Sequence, residues 1–128
     1  MSATELKERL RADLKAAMQA RATGEVRLLR TLIAALDNAE AVPGGALVEK
    51  YVPRAFGDPS GEVARRELDG PDLERLLAAE TEARLAAAAD YERGGRDDEA
   101  ARLRDEAALI QRYRTDQAAV RQRLPSAR

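Results

Sequence analysis

Residues 71–124 read PDLERLLAAETEARLAAAADYERGGRDDEAARLRDEAALIQRYRTDQAAVRQRL, and the fold follows from how this stretch divides at Gly94-Gly95. Leu73, Leu76, Leu77, Ala87, Ala88 and Tyr91 fall within one narrow arc of a helical wheel, which is the buried stripe of an amphipathic helix. Leu103, Ala107, Ile110, Tyr113, Val120 and Leu124 do the same on a second arm. Gly94 suits the left-handed position after a helix end, and Asp97 or Asp98 suits the cap of the next helix and its positive end. So short a loop forces the arms, 71–93 and 97–124, to pack antiparallel.

Upstream, Ser2 and Glu5 stand at capping-box spacing, and Leu6, Leu10, Leu14, Ala17 and Met18 make the stripe of a first helix over about 4–22. Gly24 breaks the pattern. A second helix, about 25–41, carries Val26, Leu29, Leu32, Ile33 and Leu36 with Leu28, Ala35 and Ala39 beside them. That wide stripe predicts the most buried helix, the centre on which the first helix and the hairpin pack. From 42 to 70 the periodicity dissolves, and three of the five prolines and five of the eight glycines lie there. A connector this long without structure is unusual in a compact domain, so part of it is expected to be ordered. Tyr51 and Phe56 are half of the chain's aromatic residues. The simpler expectation has them plugging one end of the bundle; the alternative makes them a partner-binding loop. The predicted architecture is all-α, one domain over 1–128, a multihelical bundle of four main helices including a long C-terminal antiparallel hairpin.

Composition narrows the chemistry. The chain has neither Cys nor His, which removes disulfides, thiolate nucleophiles, imidazole bases and ordinary zinc sites. Its 27 alanines outnumber its 25 Leu, Ile, Val and Phe residues taken together, so helix axes can approach to about 8 Å. The first ten residues lack the apolar run of a signal peptide, and no run is long enough for a membrane span, so a soluble cytoplasmic protein without membrane contact is expected. Net charge is -1 overall but uneven: +3 over 1–36, -2 over 37–68, -6 over 69–109 and +4 over 110–128. Basic ends on an acidic body are compatible with a phosphate partner and equally with termini that pack on the middle.

Some polar residues stand where apolar ones belong. Glu80 and Arg84 lie one turn apart inside the hairpin's stripe, with the acid on the favourable N-terminal side. Glu40 faces the apolar side of the second helix, Glu106 lies between Leu103 and Ile110, and Arg30 and Asp37 stand at a stripe border. Buried charges need partners, so Arg30, Glu40, Glu80, Arg84 and Glu106 are expected to meet across helices. Clustered carboxylates with an arginine can hold a hard cation or do acid-base work, but the carboxylate metal sites of bundles use Glu-x-x-His, and this chain has no histidine. The simpler reading is an internal ion network that sets helix register. No catalytic motif, metal site or cofactor site is expected.

At these residues the chain resembles a family. LKERLRADLKAAMQARATGEVRLLRTLIAALDNAE (6–40) is similar to the opening helices of the GatB/YqeY family, and AETEARLAAAADYERGGRDDEAARLRDEAALIQRY (79–113) to its hairpin. Arg27, Arg30, Asn38, Glu40, Glu80, Arg84, Tyr91, Gly95, Arg96, Glu106 and Tyr113 stand at matching positions. The resemblance implies an all-helical YqeY-like N-terminal domain, in a family related to the C-terminal part of GatB, a subunit of the tRNA-dependent amidotransferase that helps convert misacylated Glu-tRNA or Asp-tRNA to the amide form. It also implies the family's label, carbon-nitrogen ligase activity with glutamine as amido-N-donor. In the amidotransferase, ammonia production belongs to another subunit and activation to GatB's catalytic domain. Family members continue past the matching tyrosine into a small tail domain, whereas Arg114 and Thr115 follow Tyr113 here, and the 42–70 connector is longer than usual.

The expected function is therefore a non-catalytic binding or adaptor protein linked to tRNA-dependent amidation, with amidotransferase subunits or tRNA as partners. The alternatives are an accessory of a glutamine-dependent carbon-nitrogen ligase and a tRNA-binding accessory. For the last, the candidate cations are Arg112, Arg114, Arg121, Arg123 and Arg128 with Arg9, Arg11 and Lys15. They fall on several helix faces beside an acidic body, so tRNA binding tighter than about 10 μM at physiological salt is not expected. Nothing in the pattern selects an oligomeric state.

Overall fold

The computed structural model describes residues 1–41 and 66–123, which form four helices: α1 (Ala3–Gln19), α2 (Thr23–Ala41), α3 (Gly70–Arg93) and α4 (Asp97–Arg123). The fold is an all-α bundle, and α3 and α4 are its closest-packed pair, an antiparallel hairpin. The expectation for Tyr51, Phe56 and Leu124 lies outside the described residues.

Helix starts follow local chemistry. The Ser2 hydroxyl accepts from the Glu5 N–H at 3.1 Å while Glu5 Oε1 accepts from the Ser2 N–H at 2.9 Å, so two orphan donors of the first turn are satisfied reciprocally. These bonds, from the Ser2 backbone first and its hydroxyl second, hold the Glu5 carboxyl below its usual range. Asp69 and Asp72 repeat the arrangement at α3, with Pro71 in the first turn. That helix thus begins at Gly70, inside the stretch expected as connector.

Helix ends correct the sequence reading twice. After α1 the Arg21 N–H donates to the Met18 carbonyl and the Ala22 N–H to that of Ala17, with Arg21 at φ 57°. After α3 the Gly95 N–H donates to Glu92 and the Arg96 N–H to Tyr91, with Gly95 at φ 77°. Both are Schellman closures. The left-handed glycine is therefore Gly95, and Gly94 has an ordinary φ of -85°. The break between α1 and α2 falls at 20–22 because the closure brings Ala22 against the core beside Ala17; Gly24 sits in the first turn of α2 and its freedom is not used. Asp97 and Asp98 are first-turn residues of α4 and act on its positive end.

One core joins all four helices. Leu6 and Leu10 of α1, Leu29, Leu32 and Leu36 of α2, Leu73 and Leu77 of α3 and Ile110 of α4 are its largest fully buried side chains. Each contributes about 1.5–3 kcal/mol by leaving water. Three of the eight come from α2, which makes it the chief supplier of this core. Toward the hairpin turn the core narrows to Ala88, Ala100 and Leu103, all from α3 and α4. Tyr91, expected in the buried stripe, is exposed there, and its ring is covered on one side by the Arg96 guanidinium at 5.5 Å. Met18, also expected inside, is 50% exposed at the end of α1.

The chain leaves α2 at Ala41 and is met again at Arg66, whose N–H donates to the Glu40 carbonyl at 2.7 Å. Both ends of the connector therefore lie together, and Leu68 is buried in the main core just before α3.

Candidate functional site

The buried charges separate into two networks. In α3, Arg84 Nη1 donates to Glu80 Oε1 at 2.8 Å, and Nε donates across the hairpin to Glu106 Oε1 at 3.0 Å. Arg102 extends the chain along α4, donating to Glu106 Oε2 at 2.9 Å and Glu99 Oε2 at 2.7 Å. Its bond from Arg102 holds the Glu99 carboxyl below the usual range. Arg84 is 15% exposed, and its guanidinium lies between the two carboxylates, so Glu80 and Glu106 accept from it instead of converging on a shared cation position. Among the described residues no cluster of three or more carboxylates could hold a metal ion.

Glu40 and Arg30 are not part of this network, contrary to expectation. Glu40 is buried, and its Oε1 accepts from Lys7 Nζ at 2.5 Å; the same ammonium donates to Asp37 at 3.2 Å. Glu40 lies in the last turn of α2, where it meets Lys7 of α1. The bond to Glu40, opposed by burial and helped by Asp37, raises the Lys7 ionisation above its ordinary value. Arg30 is exposed at the edge of α2's apolar stripe and forms no ion pair among the described residues.

A third polar group was not foreseen. The phenol of buried Tyr113 donates to Asp13 of α1, and the Arg9 guanidinium lies 4.9 Å from the ring centroid while also pairing with Asp116 at 2.5 Å. Burial, then the Asp13 carboxylate, pushes the Tyr113 hydroxyl far above its usual ionisation range. Arg114 is likewise tied, to Glu74 at 2.6 Å. Arg9 and Arg114, two candidate phosphate contacts, are thus engaged in holding helices together. Two buried polar side chains carry no signal in the sequence pattern: the Thr81 hydroxyl donates to the Leu77 carbonyl one turn back, and the Gln117 side-chain amide donates to the Met1 carbonyl.

Among the described residues Arg11, Lys15 and Arg112 form no ion pair, and three further unpaired cations share one groove. Arg21, Arg27 and Arg30 line a shallow groove of about 810 Å³ along the outer face of α2, with Met18, Val26 and Ala34 as its apolar part. Among the described residues no acidic side chain lines it. Helical spacing puts Arg27, Arg30 and Ala34 on one edge, away from Leu28, Leu32 and Leu36. The sequence signal for this groove is that Arg27 and Arg30 lie off the apolar stripe of a helix whose other side is lined mainly by leucines. No protein-family model, curated protein or solved structure matches the chain.

Proposed function

We propose that this chain is a non-catalytic adaptor of the YqeY-like kind that works beside tRNA-dependent amidation. The observation that carries the adaptor reading is the division of its arginines. Arg84, Arg102 and Arg114 are tied to carboxylates that lock α3 to α4, whereas Arg21, Arg27 and Arg30 point into one groove without an ion pair among the described residues. Interior charge holds the scaffold, and free charge marks a face where a partner gains a neutralising contact. The link to amidation rests on the resemblance to the GatB/YqeY family at residues 6–40 and 79–113.

The purified chain is tested against purified subunits of a tRNA-dependent amidotransferase by co-elution, against labelled tRNA at two salt concentrations, and against glutamine for ammonia release. The expected result is co-elution with an amidotransferase subunit, no ammonia, and no tRNA binding tighter than about 10 μM. Ammonia release by the chain alone overturns the non-catalytic reading in favour of a carbon-nitrogen ligase component. Sub-micromolar tRNA binding that weakens steeply with salt replaces it with a tRNA accessory, and absence of co-elution removes the link to amidation.

A further inference from the structure

Residues 11–30 carry five cations and two carboxylates. Neither carboxylate serves the groove: Asp13 accepts from Tyr113, and Glu25 lines a neighbouring cleft with Leu28 and Arg112. The groove itself runs beside α2 from Thr23 to Ala34, which is about 16 Å of helix, or roughly three turns. Its rim is guanidinium, the side chain whose planar fork takes a carboxylate through two parallel hydrogen bonds. Its floor is apolar, with Met18 half exposed and Val26 partly buried. Met is unbranched and fits irregular apolar partners.

From this we infer that the groove docks an acidic amphipathic helix of a partner protein, its apolar anchors on Met18, Val26 and Ala34 and its carboxylates on Arg21, Arg27 and Arg30. The inference rests on the adaptor reading and states the chemistry of the partner. A nucleic-acid backbone fits less well on two counts. It gains nothing from the apolar floor, and among the described residues no aromatic ring lines the groove to stack a base.

The probe is a synthetic helical peptide of about 16 residues, roughly 24 Å long, with Leu at the i, i+3, i+4 and i+7 positions and Glu beside them. It is titrated into the full chain and followed by amide and Met methyl NMR shifts. Its counterparts replace every Glu by Lys, or every Leu by Ser, and a short RNA duplex is the polyanion control. Shifts centred on Met18, Arg21, Val26, Arg27 and Arg30 are expected, with affinity about tenfold or more above either counterpart, a difference of about 1.4 kcal/mol. The double substitution R27E/R30E should lower that affinity by at least about tenfold without loss of helical circular dichroism, because both side chains are exposed.

Shifts elsewhere, equal binding of the Lys counterpart, or tighter binding of the RNA at these residues each overturn the proposal. So does self-association of the chain that R27E/R30E abolishes, since the occupant is then a second copy. If R27E/R30E still co-elutes fully with an amidotransferase subunit, the groove proposal fails while the adaptor reading stands; ammonia release from glutamine sinks the adaptor reading itself.

Discussion

The Tyr113 hydroxyl donates to the Asp13 carboxylate and so ties the last helix to the first across 100 residues of sequence. The ring is 3% exposed and belongs to the main core, while Asp13 keeps access to water. Tyr113→Phe removes only the hydrogen bond and should cost about 1 kcal/mol, because Asp13 can be hydrated in its place. Tyr113→Ala also empties the core position and should cost about 3–5 kcal/mol. Urea unfolding of the two variants measures both; equal losses would mean that the bond, not the ring, carries the contact.

Alkaline stability should follow from the same residue. The folded state raises the Tyr113 ionisation through burial and Asp13, and raises that of Lys7 chiefly through Glu40. Unfolded, both groups titrate near their ordinary values of about 10. The folded protein then holds protons that the unfolded chain has released, so their contribution is complete below about pH 10 and is lost as pH rises above it. Thermal melts between neutral pH and about pH 11 should fall less steeply for Tyr113→Phe and for Lys7→Met than for the parent. Unchanged slopes would assign the alkaline loss to other groups.

Arg84 is the shared cation of Glu80 and Glu106. Arg84→Ala leaves two partly buried carboxylates facing each other without it and should cost about 2 kcal/mol. That figure lies between the ~1 kcal/mol or less of exposed pairs and the ~3–5 kcal/mol of fully buried ones. Arg84→Lys should recover only part, since an ammonium lacks the fork that serves both acids. A double-mutant cycle with Glu106→Gln reads the coupling between α3 and α4 directly; a coupling indistinguishable from zero would make the network a surface feature.

The two glycines of the hairpin turn should behave oppositely. Gly95 sits at φ 77°, so Gly95→Ala imposes a left-handed backbone on a residue with a Cβ and should cost about 1 kcal/mol. Gly94 has φ -85°, and a Cβ there would meet carbonyl oxygens no closer than 3.6 Å. Gly94→Ala should be neutral or stabilise by up to about 1 kcal/mol. Matching effects in chemical denaturation would contradict the closure geometry.

How far the sequence could be read depends on which residues carry period. The four helices and the antiparallel hairpin were legible because Leu73, Leu77, Ile110 and their like recur at helical spacing. The pairing of Glu80 with Arg84 was legible too, as an acid and a base one turn apart inside that stripe. Tyr91 was misplaced because spacing tells which face is apolar, not where the covering helices stop; the turn end of the hairpin has only its own two helices as core. Lys7 gave no sign of its role, since a lysine beside a stripe reads as a solvated stem until Glu40 and Asp37 of another helix come within reach. Arg21, Arg27 and Arg30 stood on a polar face, where pattern alone does not distinguish a docking cation from an ordinary solvated one.

The bundle closes two helix ends with the same hydrogen-bond geometry and places glycine at the left-handed position of one and Arg21 at that of the other. This is an internal control on what Arg21 is for. A glycine there would relieve roughly 1 kcal/mol of backbone strain, so thermostability screens should recover Arg21→Gly readily. The variant that melts highest would then be one that has lost a cation lining the groove, so that heat resistance and the docking proposed for that groove would pull in opposite directions at a single codon.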